Sequence, residues 1–568
     1  MNIYNYYKSC FLKTLNAEGF EFLNLEDKFL VEKPKKANYG DITFNAALIL
    51  SSKLKSDPME IAFNFKKILK KKFQEFEEIE IYKPGFINFF FNKNFWFSFL
   101  KNINKEYGIP NINAQNILIE FVSANPTGPL HVGHCRGAVF GDVLSNLFIY
   151  AGNKVTKEYY VNDYGNQIDI FVESVYKRII EIINHDPFPI NSNLYPGQYI
   201  IDIAQNIIRK KKINNFDNYY SIKKDLSDLS IKEAMILIKQ GLKSIGITHD
   251  CFVYETEIVK KDLINKAINK LSKNNYIYEG YLPKPKSVND KDWVKRKQLL
   301  FKSTLFGDDE DRALKKFDGT WTYFANDIAY HDYKIERKYD KYINILGADH
   351  AGYLKRISSS VDALQKNVKF KCKVTQLVKL FKSGKPYKMS KRAGDFIELK
   401  DLVSAVGKDA VRFMMVYRNT DSQLDFDFDL VTDKSKDNPV FYVQYATARI
   451  NSLFRKLKLN INDEIQNVDL TLIKDKHEIN IIKKISEWPH VIDLSTKNLE
   501  PHRIPYYLYE LSSYFHTYWN MGKNDDSFKI IENDNKELAN ARIYLIKKIY
   551  SILEKGLNIL NVAVLKEM

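Results

Sequence analysis

The chain has 568 residues, 45% of them hydrophobic, with 86 Lys+Arg against 70 Asp+Glu and a formal net charge of +16. That length and apolar share argue against global disorder and leave room for three or four domains. The basic excess suits a polyanionic partner, with AT-rich composition drift as the bland alternative.

In chain order, the first 112 residues read as a small α/β unit. In it, "NYGDITFNAALILSSKL" (38–54) has the pattern of a capped helix, and "IEIYKPGFINFFF" (79–91) that of a strand with a turn at Pro84-Gly85. From Asn116 to about Leu430 the apolar runs "NILIEFV", "KVTKEYYV", "YINILGADH" and "VTQLVKL" alternate with amphipathic stretches. This is the signature of a parallel sheet with crossover helices. A polar stretch at about 187–248, with basic runs such as "RKKK", reads as a helical insertion. "TDKSKDNP" (432–439) reads as a linker. Beyond it, "VFYVQYATARINSLFRKLKL", "IPYYLYELSSYFHTYWNMG" and "ARIYLIKKIYSILEKGLNIL" have helical spacing. The expected fold is α/β: a Rossmann-like parallel-sheet domain over 113–432, a small N-terminal α/β domain over 1–112, and a C-terminal α-helical bundle over 433–568.

The four cysteines, Cys10, Cys135, Cys251 and Cys372, lie too far apart for a zinc ribbon or a redox motif. No window approaches the roughly 18 apolar residues of a membrane span, and the N-terminus lacks a signal-peptide core. The expectation is a reduced, cytoplasmic protein without disulfides, zinc or a membrane partner.

The chemistry is sharpest in "IEFVSANPTGPLHVGHCRGAVFGDVL" (119–144), where a strand ends, a Pro/Gly turn follows and a helix begins at two histidines. His131 and His134 could ligate a metal, but no third ligand stands nearby. They could be satisfied core imidazoles, the usual reading of an arbitrary His-x-x-His. In this setting they fit a third role, donors to a phosphate at a helix N-terminus. Gly133, lacking a Cβ, lets a nucleotide come close. A second element, "SGKPYKMSKRAGDF" (383–396), gathers Lys388, Lys391 and Arg392 around Met389 and Ser390. Alone it is a solvated charge run. With the histidine turn it could clamp a triphosphate from two sides.

"HVGH" and "KMSKR" resemble the two signatures of the class I aminoacyl-tRNA synthetases, with Arg392 where the second signature usually has Ser. Within that class the chain is identified as a member of the arginyl-tRNA synthetase family of bacterial pattern. "EYYVNDYGNQI", "YFANDIAYHDYK", "LGADHAGYLKR" and "DNPVFYVQYATARI" carry the likeness, and "NYGDITFNAALIL" and "PGFINFFF" resemble the family's additional tRNA-contacting domain. The resemblance implies ATP-dependent attachment of arginine to its tRNA, with Mg²⁺ accompanying ATP, in a monomer. It implies catalytic roles for His131, His134, Lys388 and Lys391. Gly133, Asp349, His350, Met389 and Ser390 would join them around ATP. It places Glu120, Ser123, Asn125, Tyr323 and Asp327 around arginine, Asp327 and Glu120 holding its charged ends. The 433–568 bundle would read the anticodon. Two rivals stand beside it. A small nucleotidyltransferase shares the histidine turn but is much shorter. A non-catalytic descendant should have lost the histidines and lysines, and both are present.

Overall fold

The computed structural model describes all residues except 23–24, 111–112, 190–192, 284–295, 388–396 and 532–534, and leaves out the side chains of Ala37, His350 and Ala351. The chain forms two compact units: Ile112–Asp433, and Met1–Asn111 together with Lys434–Met568.

The first of these is built on a five-stranded sheet. Its strands are β1 (Asn116–Glu120), β2 (Lys154–Val161), β3 (Cys251–Tyr254), β4 (Lys341–Gly347) and β5 (Phe370–Thr375). Their order is β5-β4-β1-β2-β3, and every pairing is parallel. The central strand β1 reads Asn-Ile-Leu-Ile-Glu, and its last four residues are buried. Such a run belongs to a strand covered on both faces. Helix α1 (Val132–Tyr150) follows it and is apolar nearly all round, as a helix caught between a sheet and a second layer must be. Gly141 allows the close approach: a Cβ there would lie 2.3 Å from the Phe121 ring. Each fully buried Val, Leu or Phe along α1 contributes about 1.5–3 kcal/mol.

Between β2 and β3 run three helices, α2 (Asn166–Asn184), α3 (Gln198–Lys210) and α4 (Tyr219–Ser244). The last two lie within residues 187–248. Strands Ile277–Gly280, Gln298–Phe301 and Arg312–Ala313 form a separate antiparallel sheet that the alternation does not reveal. Helix α5 (Tyr323–Glu336) then leads into β4.

The run "VTQLVKL" is not one strand. It splits at Gln376-Leu377 into the end of β5 and a strand Val378–Lys382, which pairs in parallel with Leu424–Asp427 in a separate sheet and antiparallel with Lys385–Pro386. A single apolar run cannot announce that it changes sheets. In the second unit, "NYGDITFNAALILSSKL" likewise divides, into strand Ile42–Phe44 and helix Ala46–Leu54. Ile42 and Phe44 point into the core on alternate positions, and helical spacing takes over only after Asn45.

That second unit joins a four-stranded antiparallel sheet at its N-terminal end to a C-terminal bundle. The sheet is filled by aromatics, with Phe11 stacked on Phe89 at 4.6 Å. The bundle helices are Pro439–Lys456, Lys476–Ser486, Trp488–Asn498, Arg503–Asn524 and Lys536–Leu560. Buried Glu478 ties three of them, accepting from Tyr518 Oη and Arg542 Nε, both at 2.7 Å. The N-terminal part packs directly on the bundle. Lys483 meets Asp41 at 2.6 Å, and the Tyr107 hydroxyl donates to Ile485 O at 2.9 Å.

Candidate active site

Five elements of the sheet domain bring the candidate residues together at the C-terminal ends of the strands, where open parallel sheets hold their ligands. After β1 the backbone turns through Val122 and Ser123, at φ 71° and 41°. The Pro/Gly segment then delivers His131 as the N-cap of α1. His131 Nδ1 accepts from Gly133 N at 3.1 Å, and His134 Nδ1 accepts from His131 N at 3.3 Å. Two histidines thus form a capping box, a job usually done by Ser and Glu.

The arrangement fixes the tautomers. With Nδ1 accepting on both rings, Nε2 is the protonated, donating nitrogen of each neutral imidazole. Burial keeps both rings neutral, lowering the His131 pKa and taking His134 down to about 4, with His131 adding to the shift on His134. Gly133 has a local reason to be glycine as well: a Cβ would sit 2.8 Å from His131 Cε1.

The chain just after the lysine segment is stitched to this turn. Val132 N donates to Ile397 O at 2.9 Å and Leu399 N to Leu130 O at 3.0 Å. Lys388, Met389, Ser390 and Lys391 themselves lie outside the described residues. Asp349 and the backbone of His350 lie in a 3₁₀ turn at the end of β4. Asp349 is exposed, and its charge acts on His134.

The second half of the site is acidic. Glu120, 6% exposed, accepts from Ser123 Oγ at 2.9 Å and forms a buried ion pair with Lys334 of α5. Lys334 also donates to Asn344 Oδ1 at 2.8 Å. The charge of Glu120 is therefore matched from within the protein. Asp327, on the same helix, differs: its carboxylate has no hydrogen bond or salt bridge among the described residues. Burial raises its pKa to about 8, with Glu255 and Glu120 adding to the shift and Lys334 opposing it. Glu255, at the end of β3, is pushed up to about 7, chiefly by burial. It accepts from Asn326 Nδ2 at 2.5 Å. Asp163, just past β2, accepts from Thr256 N at 2.9 Å and Thr256 Oγ1 at 2.6 Å.

Tyr323 opens α5, half exposed, with Lys316 Nζ 5.3 Å from its ring centre. Its hydroxyl lies over Gly165 at the start of α2. Asn125 donates to Gln167 Oε1 of that helix at 2.5 Å.

The structure thus gathers Glu120, Ser123, Asn125, Tyr323 and Asp327 around one end of the sheet. It adds Glu255 and Asp163, which sequence reading missed. Their signal was faint: Glu255 follows the short β-forming run "CFVY", and Asp163 follows "YYV" in "YYVND", so each is the first acid past a strand end. Asp327 and Glu255 are two carboxyls that burial holds toward the neutral form, and a bound cation would favour their ionised form. A helix N-terminus with two imidazole donors is built for an anion.

A parallel sheet whose first helix is capped by two histidines is the frame expected of a class I aminoacyl-tRNA synthetase catalytic domain. Accordingly, the family model described as the tRNA synthetases class I (R) catalytic domain matches residues 98–452. The arginyl-tRNA synthetase N-terminal domain matches 5–91, and the DALR anticodon-binding domain matches 443–568. An arginine–tRNA ligase of Pelagibacter ubique is 50% identical over 99% of both chains, and one of a Wolbachia of Brugia malayi is 43% identical over the whole of both. The solved arginyl-tRNA synthetase of Thermus thermophilus has the same fold, with a TM-score of 0.73 over 99% of this chain and 100% of that one at 18% identity. The chain belongs to the arginyl-tRNA synthetase family, the class I ligases that join arginine to tRNA with ATP. No described helix is long and apolar enough to cross a membrane.

Proposed function

We propose that the chain attaches L-arginine to its cognate tRNA in two steps. The arginine carboxylate attacks the α-phosphorus of ATP, forming arginyl-adenylate and releasing pyrophosphate. The 2′-hydroxyl of the terminal adenosine of the tRNA then attacks the acyl carbon, and AMP leaves. In the first step the protein mainly positions reactants and stabilises developing charge. His131 and His134 donate Nε2–H to phosphate oxygens at the positive end of α1, with Gly133 beside them. Lys388 and Lys391 bring charge to the pyrophosphate end. Met389, Ser390, Asp349 and His350 complete the ATP site, and Mg²⁺ enters with the triphosphate.

The guanidinium of arginine enters the acidic pocket and pairs with Asp327, beside Glu255. Glu120, Ser123 and Asn125 orient the α-amino and carboxylate end, and Tyr323 walls the pocket. Residues 1–112 contact the tRNA, and 433–568 read the anticodon. The enzyme works as a cytoplasmic monomer, and tRNA binds before adenylate forms.

The observation that carries this reading is Asp327: a partly buried carboxylate with no salt bridge among the described residues, facing the same strand ends as the histidine cap. Pyrophosphate exchange into ATP, run with each amino acid with and without tRNA, tests it. Exchange is expected with arginine alone, and only when tRNA is present. Exchange with another amino acid would overturn the substrate assignment. Exchange without tRNA would overturn only the order of binding.

A further inference from the structure

Arg136 stands two residues beyond His134 on α1 and is 1% exposed. A buried guanidinium normally faces a carboxylate. This one makes no salt bridge among the described residues and is spent on four backbone carbonyls. Nη1 donates to Gln376 O at 3.0 Å and Ser422 O at 2.7 Å; Nη2 donates to Asn419 O at 2.9 Å and Arg418 O at 3.3 Å. Gln376 and Ser422 lie two residues before the two parallel strands Val378–Lys382 and Leu424–Asp427. Gln376 N to Thr420 O at 3.0 Å and Leu424 N to Leu377 O at 3.1 Å knit the two approaches together. The first of these strands turns back as Lys385–Pro386, which ends two residues before Lys388. On the far side, Ile397 and Leu399 bond to Val132 and Leu130. The first two turns of one helix therefore hold the chain both before and after residues 388–396.

We propose that Arg136 is a positioning residue for adenylate formation, fixing the hairpin Val378–Pro386 in register with the histidine cap. This rests on the reading above, in which histidines and lysines act on one triphosphate. A buried guanidinium with no salt bridge among the described residues, only the more distant charge of Asp421, is a costly way to join a helix to a loop, and an apolar contact would stabilise as well. What the guanidinium adds is geometry. Its planar fork meets four carbonyls in fixed directions, one on the approach to the hairpin and three on the approach to its parallel partner strand, so the strand pair cannot slide along α1 without losing several hydrogen bonds together. A lysine at this position keeps the charge but not the fork.

The test is a double-mutant cycle on pyrophosphate exchange with tRNA present, using Arg136→Lys, Lys391→Ala and both together. Arg136→Lys is expected to lower kcat by roughly ten- to a hundredfold, with KM for arginine within about twofold. In the Lys391→Ala background it should cost less than about twofold more, because a residue acting through the lysine segment has nothing left to position. Effects that simply multiply, or a variant that loses only melting temperature, would overturn the proposal. Normal exchange by Lys391→Ala alone would instead sink the underlying reading of the site. An unstable variant is assayed at 15 °C, and Arg136→Gln, with two donors, repeats the cycle. If neither folds there, Arg136 is a scaffold residue and the proposal fails.

Discussion

Asp327→Asn keeps the shape of the side chain and removes its charge. Its effect should depend on pH in a way that only a cation site would produce. Without arginine the Asp327 pKa stands near 8. At pH 7 only about one molecule in ten is therefore ionised, and making the carboxylate costs about 1.4 kcal/mol. A guanidinium needs that carboxylate, so arginine affinity should climb with pH, by about twenty-five-fold from pH 6.5 to pH 8.5. Glu255, at about 7, titrates in the same window and steepens the rise. Breaking a close charge pair costs about 2–5 kcal/mol. Asp327→Asn should show that full loss at pH 8.5 and about 2 kcal/mol less at pH 6.5, where the wild type must first ionise. What pH dependence remains in the variant is the smaller share of Glu255. Calorimetric binding of arginine, with citrulline as the neutral isostere, measures this directly. Discrimination between the two should shrink in the variant.

The same shifts set the sign for stability. Both carboxyls have folded pKa values above their unfolded ones, so the folded state holds extra protons from about pH 4 to pH 8. The stability they give is complete below the unfolded pKa and is lost as pH rises through 7 and 8. The melting temperature of the arginine-free enzyme should fall across that range, and the increment from saturating arginine should grow. Flat arginine affinity from pH 6.5 to 8.5, or a folded Asp327→Asn that still selects arginine at normal concentration, would make Asp327 a scaffold residue. Specificity would then have to move to Glu120.

Other perturbations separate the remaining parts. Lys391→Ala should depress adenylate formation by on the order of a hundredfold while arginine affinity barely changes, and near-normal aminoacylation would remove its role. His131→Asn replaces one good N-cap by another, so melting temperature should hold within a few degrees while exchange falls by about a hundredfold; a parallel loss of both would make His131 a cap and nothing more. If the +16 charge serves tRNA, affinity for tRNA should fall by roughly one power of salt for each phosphate contacted, with arginine binding far less sensitive, and a flat response would return the charge to composition drift.

How much of this was legible in the sequence depended on how local each signal was. The histidine cap was readable because its parts, strand end, stiff turn and helix start, are contiguous in 119–144. Even there the sequence explained Gly133 only by the nucleotide, whereas the structure adds the His131 ring that leaves no room for a Cβ. The acidic pocket was half readable. Tyr323 and Asp327 sit one turn apart on a helix, a spacing visible in the letters. Glu255 and Asp163 reach the pocket from other strands, and no window of sequence holds them beside Asp327. Glu120 shows the converse limit. Its identity could be read, but not that Lys334, 214 positions later, already neutralises it. Charge balance is a property of the packed site. A cation pocket is recognised by which carboxylate lacks a partner, and that can be decided only when every partner has been placed. By this test Asp327, more than Glu120, is the residue at which to probe for a demand that the substrate be charged.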